Sequence, residues 1–189
     1  MTAGVAKALL VDDRRENLMA LEAILQGLPV QTVAVESGEE ALKQLLVDDF
    51  AVILLDAQMP DMDGFETANH IKRRERTRHV PILFLTAADQ DNQLALRGYA
   101  AGAVDYLIKP FDPWVLRAKV GVFVDLWAKN RQLASQADLV RQRNEQWRTL
   151  SAAVDRAIER LRADEVDPAK VADDLESARW NGFDSAGTG

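Results

Sequence analysis

Three short, mainly apolar runs, each closed by charged residues, constrain the fold of this 189-residue chain more than any other feature. The first run ends at Asp12 and Asp13, the second at Asp56 and the third at Lys109. Such runs are typical of strands that are buried on both faces of a parallel sheet. Because the carboxyl ends of parallel strands meet at one edge, where ligands bind, we expect these charged side chains to converge there.

Helix-like segments alternate with strand-like runs as far as residue 125, which predicts an α/β fold. Strands are expected near 7–11, 30–35, 51–55, 81–85 and 104–108. Helices are expected near 15–27, 38–47, 64–74 and 91–100, and a further helix begins at about 113. Strands and helices interleaved in this way predict right-handed crossovers, with helices on both faces of the sheet.

The charged residues at the strand ends predict a phosphate-handling metal site. Asp12, Asp13 and Asp56 would repel each other unless a cation lay among them, and Mg²⁺ suits an all-oxygen site. Lys109 and Thr86 would join them, and a lysine opposite the metal suits a phosphoryl group. The alternative is that each aspartate only caps the helix that follows it, which Asp does well. One such residue would fit that alternative, but the whole set favours the metal site.

Residues 5–125 resemble the receiver domain of bacterial two-component response regulators. Four motifs carry the resemblance: Val-Asp-Asp at 11–13, Leu-Asp-Ala-Gln-Met-Pro-Asp-Met-Asp-Gly-Phe-Glu at 55–66, Leu-Thr-Ala-Ala at 85–88 and Asp-Tyr-Leu-Ile-Lys-Pro at 105–110. The resemblance covers about two thirds of the chain. It implies a doubly wound, five-stranded parallel sheet of flavodoxin-like order 2-1-3-4-5.

The resemblance also implies the chemistry of the site. Asp56 would accept a phosphoryl group from a histidine kinase or a phosphotransfer protein and form an acyl phosphate. Asp13, Asp56 and the backbone carbonyl of Gln58 would ligate Mg²⁺, or Mn²⁺ in its place, and Asp12 would act through a bridging water. Lys109 would pair with the phosphoryl group, and its peptide bond to Pro110 is usually cis in the family.

A pair of residues in the motifs resembles the switch of the family. On phosphorylation the hydroxyl of Thr86 would move toward the phosphoryl oxygen, and the ring of Tyr106 would then turn inward. Such a switch needs two states that the ligand biases. The small side chain of Ala87 would leave the pocket open. The chain itself would be a phosphoacceptor signalling protein and not an enzyme.

Beyond the receiver-like part, a heptad pattern predicts a coiled coil within a helix over 113–162. Asp112 and Pro113 suit the start of that helix, which would be roughly 75 Å long. We call its a and d residues the seam; they are Phe123, Leu126, Asn130, Leu133, Ala137, Val140, Asn144, Trp147, Ser151, Val154, Ile158 and Leu161. Asparagine at a favours a parallel two-stranded pair, so a parallel homodimer is expected, although Arg143 and Arg148 would repel each other across it. Residues 163–189 would form a short helix and a disordered tail.

Composition excludes several other classes of protein. A net charge of −7 and a pI of about 4.9 argue against nucleic-acid binding, and the basic stretch 72–78 is interpreted as a solvated helix end. The absence of cysteine excludes disulfides and thiolate metal sites. No apolar run reaches the ~18 residues that a membrane span needs, and no signal peptide is evident. A cytoplasmic location and no membrane association are therefore expected.

Three alternatives remain open. The chain could be the N-terminal fragment of a larger signalling protein whose catalytic output domain follows the coiled coil. A small hydrolase using an aspartyl phosphate would need a second acid two residues after Asp56, where this chain has Gln58. A DNA-binding regulator would need a helix-turn-helix, which residues 126–189 do not provide. The kinase that donates the phosphoryl group and the downstream protein are not specified by the sequence.

Overall fold

The computed structural model describes residues 4–87 and 105–162, together with the helical positions Ala169, Ala172, Asp173 and Glu176. Its elements in chain order are β1 (Ala6–Val11), α1 (Arg15–Leu25), β2 (Val30–Val35), α2 (Gly38–Val47), β3 (Val52–Asp56), α3 (Gly64–Arg73), β4 (Ile82–Ala87), β5 (Asp105–Lys109) and α4 (Pro113–Arg162), the long helix. The helix predicted near 91–100 and the predicted disordered tail lie outside the described residues.

All the strand pairs of the sheet are parallel, in the order β2-β1-β3-β4-β5. This confirms the flavodoxin-like arrangement. The register places Leu55 opposite Phe84 and Asp56 opposite Leu85, and on the other side of β4 it places Ala87 opposite Lys109. The ends of β1, β3, β4 and β5 therefore lie side by side at one edge of the sheet.

The sheet is buried on both faces, as its apolar runs predict. Alternate strand residues point to opposite faces, so Leu9 and Leu10 belong to different clusters although both are 0% exposed. One cluster joins the sheet to side chains of α2 and α3, which include Ala41, Leu45, Phe65, Ala68 and Ile71. The other joins it to α1 and the start of the long helix through Leu18, Leu21, Leu25, Leu116, Val120 and Val124.

The start of the long helix is tied to the sheet and to α1 by two basic side chains. Arg117 Nη1 donates to the carbonyl oxygens of Ile24, at 3.0 Å, and Gln26, at 2.5 Å. These bonds satisfy backbone acceptors that the end of α1 leaves without helical partners. Lys119 pairs with Asp105 at the start of β5. The first turns of the long helix are thereby fixed by polar contacts as well as by packing.

The basic stretch 72–78 is only partly the solvated helix end that the sequence suggests. Lys72 Nζ donates to the carbonyl oxygens of Arg78, at 3.0 Å, and Val80, at 2.8 Å, and burial lowers the pKa of this amine. Arg76 donates to the carbonyl oxygen of Leu46 at 2.6 Å. These two cations hold the segment between α3 and β4, because their donors satisfy carbonyl groups there and at the end of α2.

The chain divides into two compact units, residues 3–129, here the sheet unit, and a second unit that contains the residues from 130 onward. In the second unit, the described seam positions from Asn130 to Ile158 are exposed, and Ala153 and Ala157 are buried. Phe123 differs from its predicted seam role: it is half-buried and packs on the core of the sheet unit. No helix within the described ranges combines the length and apolar character needed to cross a bilayer.

Candidate functional site

Three carboxylates converge at the carboxyl edge of the sheet. Asp12 and Asp13 follow β1 and Asp56 ends β3, and each offers an oxygen within 4.8 Å of the others. Asp12 and Asp56 are buried and Asp13 is exposed. We call these three residues the acidic cluster. Its convergence follows from the parallel pairing of β1 with β3, as the sequence predicted.

Asp12 is fully buried but well supplied with hydrogen-bond donors. Its carboxylate accepts bonds from the backbone N–H of Arg14 at 3.0 Å, from the Asn17 amide at 2.7 and 3.0 Å, and from Lys109 Nζ at 2.8 Å. A buried carboxylate is tolerated when donors and an opposite charge replace its water. Asp12 therefore orients Lys109 and anchors the start of α1.

Lys109 lies between two carboxylates of the cluster. Its Nζ is 2.8 Å from Asp12 Oδ2 and 3.3 Å from Asp56 Oδ2. Its side chain is 27% exposed, so a molecule arriving from solvent can reach it. The peptide bond to Pro110 is cis, as the resemblance implied. A cation that is held next to Asp56 and remains accessible suits an anionic group placed on that carboxylate.

Asp56 receives fewer and longer hydrogen bonds than the other buried carboxylate of the acidic cluster, Asp12. Burial raises the pKa of Asp56 above its usual value; Lys109 opposes this rise and the nearby Asp12 adds to it. The backbone N–H of Gln58 donates to Asp56 Oδ1 at 3.4 Å, which is long for a hydrogen bond. A buried carboxylate with weak local donors retains a basic oxygen and is suited to act as a nucleophile.

The loop after β3 brings the start of α3 against the backbone of Asp56. A Cβ on Gly64 would lie 2.1 Å from the Asp56 carbonyl oxygen and 2.9 Å from the Ala57 Cα, so only glycine fits. Asp63 Oδ1 accepts a bond from the Glu66 N–H at 2.7 Å and starts the helix. Asp61 adopts a positive φ of 63° in this loop. The motif 55–66 thus shapes the support beneath Asp56.

The other predicted site residues lie on neighbouring strands. Thr86 and Ala87 end β4; Thr86 is half-buried, its Oγ1 is 3.3 Å from the Ala87 carbonyl oxygen, and Ala87 is exposed. Tyr106 lies on β5, opposite Phe84, and is 38% exposed. Gln58 is exposed and contributes its N–H to Asp56. Gln58, Thr86 and Ala87 therefore lie at the same edge as the acidic cluster, whereas Tyr106 lies three residues before Lys109, farther from that edge along β5.

Sequence reasoning missed one residue of this site. Asn17 binds both oxygens of Asp12 from the first turn of α1. The available signal was its spacing of five residues from Asp12 across the start of a helix, where a polar side chain can reach back to a preceding acid. That spacing alone does not specify which of the two adjacent aspartates is bound, because Asp12 and Asp13 point in different directions.

The donor set fits a divalent cation. Three carboxylates and one ammonium group leave the ionised cluster with about two unbalanced negative charges. All the carboxylate ligands are hard oxygen donors, which Mg²⁺ and Mn²⁺ prefer. The exposed Asp13 leaves the cluster open on one side. Such a site can hold a metal that keeps several of its waters.

Comparison with known proteins agrees with this geometry. The family model described as the response regulator receiver domain matches residues 8–121. A putative response regulator from Chloroflexus aurantiacus is 33% identical with a TM-score of 0.60, covering 65% of this chain and 99% of that one. The chemotaxis protein CheY4 of Vibrio cholerae is 31% identical with a TM-score of 0.58, covering 62% and 97%.

Curated relatives match over the same segment. A probable cyclic di-GMP phosphodiesterase of Vibrio cholerae is 38% identical over 116 residues, 59% of this chain. The response regulator PleD of Caulobacter vibrioides is 37% identical over 115 residues, 61% of this chain. The match spans only 25% of the length of each relative, so it concerns the receiver segment alone. Over that segment, the chain belongs to the response regulator receiver domain family, a family of phosphoacceptor signalling domains.

Proposed function

We propose that Asp56 accepts a phosphoryl group from a histidine kinase or a phosphotransfer protein, and that the long helix transmits the change. The observation that carries this proposal is the position of Asp56, which is buried beside an accessible Lys109 and within 4.8 Å of two further carboxylates. A carboxylate oxygen of Asp56 attacks phosphorus, the bond from phosphorus to the donor nitrogen breaks, and an acyl phosphate forms. Lys109 pairs with the added phosphoryl oxygens.

Mg²⁺, or Mn²⁺, is the proposed cofactor. Asp13, Asp56 and the carbonyl of Gln58 would hold it, and Asp12 would contribute through water. A bound divalent ion neutralises charge on the phosphoryl oxygens and lets an anionic nucleophile meet an anionic donor. The protein residues supply orientation: Asp12 and Lys109 are already bonded to each other, and Gly64 fixes the backbone of Asp56.

Thr86 and Tyr106 are proposed to report the phosphoryl group to the surface. Thr86 is the penultimate residue of β4, the strand that pairs with β3, and its half-buried hydroxyl makes a long bond of 3.3 Å to the Ala87 carbonyl oxygen. Moving this hydroxyl toward the phosphoryl oxygen would open space on β4. Tyr106 lies on the adjoining strand with its ring partly exposed, so it is placed to turn into that space.

The output is proposed to pass through the seam. Leu126, Leu133, Val140 and Trp147 are 50%, 62%, 46% and 64% exposed, which leaves an apolar stripe in water. A second copy lying parallel would cover the stripe and pair Asn130 and Asn144 with their counterparts. Because of the half-buried position of Phe123, this seam would begin at Leu126. Receivers at the same end would then share one axis, and a shape change in either could alter the pairing.

A larger architecture is a second candidate. The chain spans a quarter of the length of the two relatives described above, one of which has a phosphodiesterase name. The long helix could therefore join the receiver segment to a catalytic domain in the intact gene product. The length of the natural protein would separate this proposal from a stand-alone regulator.

The proposed function is tested by mass measurement combined with light scattering. Acetyl phosphate with Mg²⁺ should add one phosphoryl group to the chain, and a chelator should suppress the addition. Beryllofluoride, which mimics the acyl phosphate, should bind under the same conditions. The light-scattering mass should correspond to two chains. A chain that takes up no phosphoryl group in the presence of Mg²⁺ would disprove the phosphoacceptor role, whatever its oligomeric state.

A further inference from the structure

The long helix separates its charges into two stripes between residues 127 and 150. Counted from Phe123 as position a, the e and g positions that flank the seam carry Lys129, Arg141, Arg143 and Arg148 and no acid. Both acids of this stretch, Asp138 and Glu145, fall at b, on the side away from the seam, where Arg131 also lies. The stretch 129–148 holds five basic and two acidic residues, whereas the whole chain has a net charge of −7. The basic flank is therefore a local departure from an acidic protein.

The basic flank is available for binding. Lys129, Arg141, Arg143 and Arg148 are exposed, as are the apolar seam residues between them. Arg141 pairs with Asp138 at 3.5 Å. Within the described residues, no ion pair involves Lys129, Arg143 or Arg148. An exposed apolar stripe bordered by these three cations is the surface that an acidic amphipathic helix would complement.

We propose that the downstream partner presents an acidic amphipathic helix, which lies on the seam with its carboxylates against the basic flank. The inference rests on the proposed role of the long helix as the output element and names the chemistry of the partner. In a parallel pair of two copies, the g residue Arg143 faces the e residue Arg148 of the other copy, and symmetry repeats this repulsion. A partner with Asp or Glu at its own e and g positions replaces both repulsive contacts by attractive ones.

The partner therefore competes with the second copy for the same seam. Self-pairing is weakened by the like charges and by the polar a residues Asn130 and Asn144, while the apolar d residues still favour association. Between two partners with similar apolar surfaces, the one whose e and g residues are acidic then binds more tightly. Nucleic acid is the other polyanion that could meet a basic stripe. It is disfavoured because Leu133, Val140 and Trp147 lie between the cations and would remain exposed to water on a phosphate backbone.

The full chain can be tested with two synthetic helical peptides that share Leu at all a and d positions. One peptide has Glu at e and g, and the other has Lys there. Anisotropy titration should show that the Glu peptide binds about 10-fold tighter or more at low salt. Because exposed charges are screened by salt, the advantage should shrink at about 0.5 M NaCl. Equal affinities for the two peptides, or binding of duplex DNA in place of the Glu peptide, would overturn the proposal.

Two variants complete the test. R143E combined with R148E leaves two cations and two acids on the flank, so it should abolish the preference for the Glu peptide, and it changes no residue of the acidic cluster. L133D combined with V140D should remove binding of both peptides, because it places charges in the apolar seam. Phosphoryl uptake and the light-scattering mass of the same samples report the proposed function separately. A wild-type chain that is phosphorylated and dimeric but indifferent to peptide charge would refute this inference alone.

Discussion

Large apolar side chains are buried in the core of the sheet unit and exposed along the seam of the long helix beyond Asn130. Leu9, Leu54 and Ile82 are 0% exposed, whereas Leu133 and Trp147 are 62% and 64% exposed. In the sheet unit, packing on both faces fixes each strand, and the strands in turn fix the charges at their ends. Beyond Asn130 the helix is held by its own backbone bonds, and its apolar seam is exposed. Substitutions in the sheet unit should therefore change chemistry or stability, and substitutions in the seam should change assembly.

The sharpest test of the chemical side is Asp56→Asn. The amide nearly preserves the shape of the carboxylate but is a poor nucleophile, so phosphoryl uptake from acetyl phosphate should fall about 100-fold or more. Intact-mass measurement gives the extent of labelling. Asp49→Asn is the matched control, because Asp49 is exposed, lies outside the acidic cluster and pairs with the exposed Arg76 at 3.3 Å. If the Asp56 variant were labelled at the wild-type rate, the nucleophile would lie elsewhere.

The proposed pairing of two chains through the seam is tested by placing charges in it. Leu133→Asp combined with Val140→Asp should convert a dimer to a monomer, since each buried charge costs several kcal/mol. Labelling of Asp56 should be unaffected, which would separate the two regions. Leu139→Asp is the control, because Leu139 is 63% exposed but falls at c, outside the seam. Light scattering of the wild-type chain as a monomer at tens of micromolar would show that the seam does not pair two copies.

Lys109→Ala tests whether the charges at the edge also support the fold. Removing the ammonium leaves the fully buried Asp12 and the buried Asp56 without their shared cation. The free energy of unfolding in metal-free buffer should fall by about 2–3 kcal/mol. Lys119→Ala, which breaks the more exposed pair with Asp105, should cost about 0–1 kcal/mol. Denaturant titration of both variants checks the contrast, and equal losses would mean that Lys109 is only an ordinary surface cation.

A pair of glycine substitutions compares two positions of the sheet unit, the loop beneath Asp56 and the first part of the long helix, with one chemical change. Gly64→Ala would place a Cβ 2.1 Å from the Asp56 carbonyl oxygen and should destabilise by about 1–3 kcal/mol. Gly121→Ala meets no atom within 4 Å and lies inside the long helix, so it should stabilise by about 0.5–1 kcal/mol. Thermal denaturation gives both signs. Similar effects at the two positions would contradict the tight approach of α3 to β3.

Much of the sheet unit could be predicted because its signals are local and repeated. Each described strand starts and ends within two residues of its predicted bounds, since continuous apolar runs are interrupted by turn residues and charges. The convergence of Asp12, Asp13 and Asp56 followed from parallel pairing alone. Both features depend on patterns of neighbouring residues, which the sequence displays directly.

The contacts that escaped prediction join residues distant in sequence or depend on which face a helix presents. Arg117 binds the end of α1 from 91 residues away, and no local pattern marks that pair. Phe123 fits the heptad spacing of the seam. The neighbouring face of the same helix, however, packs on the sheet through Leu116, Val120 and Val124, and Phe123 packs there beside them. Heptad spacing records periodicity and does not identify the partner of a face.

The smallest effect expected is the pH dependence of stability at Asp56. Its pKa is raised in the folded state above the usual value of 3.8, chiefly by burial. The folded chain therefore binds this proton more tightly than the unfolded chain, and stability falls as pH rises from 3.8 through the folded pKa. Above that range the ionised Asp56 is a constant cost, which Asp56→Asn removes.

The variant should therefore melt at a higher temperature than the wild-type chain near neutral pH in the presence of a chelator. The gap between the melting temperatures of the variant and the wild-type chain should narrow as the pH is lowered toward 3.8, because the wild-type carboxyl then becomes neutral like the amide. Adding Mg²⁺ at neutral pH should also narrow the gap, since a cation among the carboxylates offsets the cost in the wild-type chain. If the difference in melting temperature changed with neither pH nor Mg²⁺, burial of the ionised Asp56 would carry no electrostatic cost.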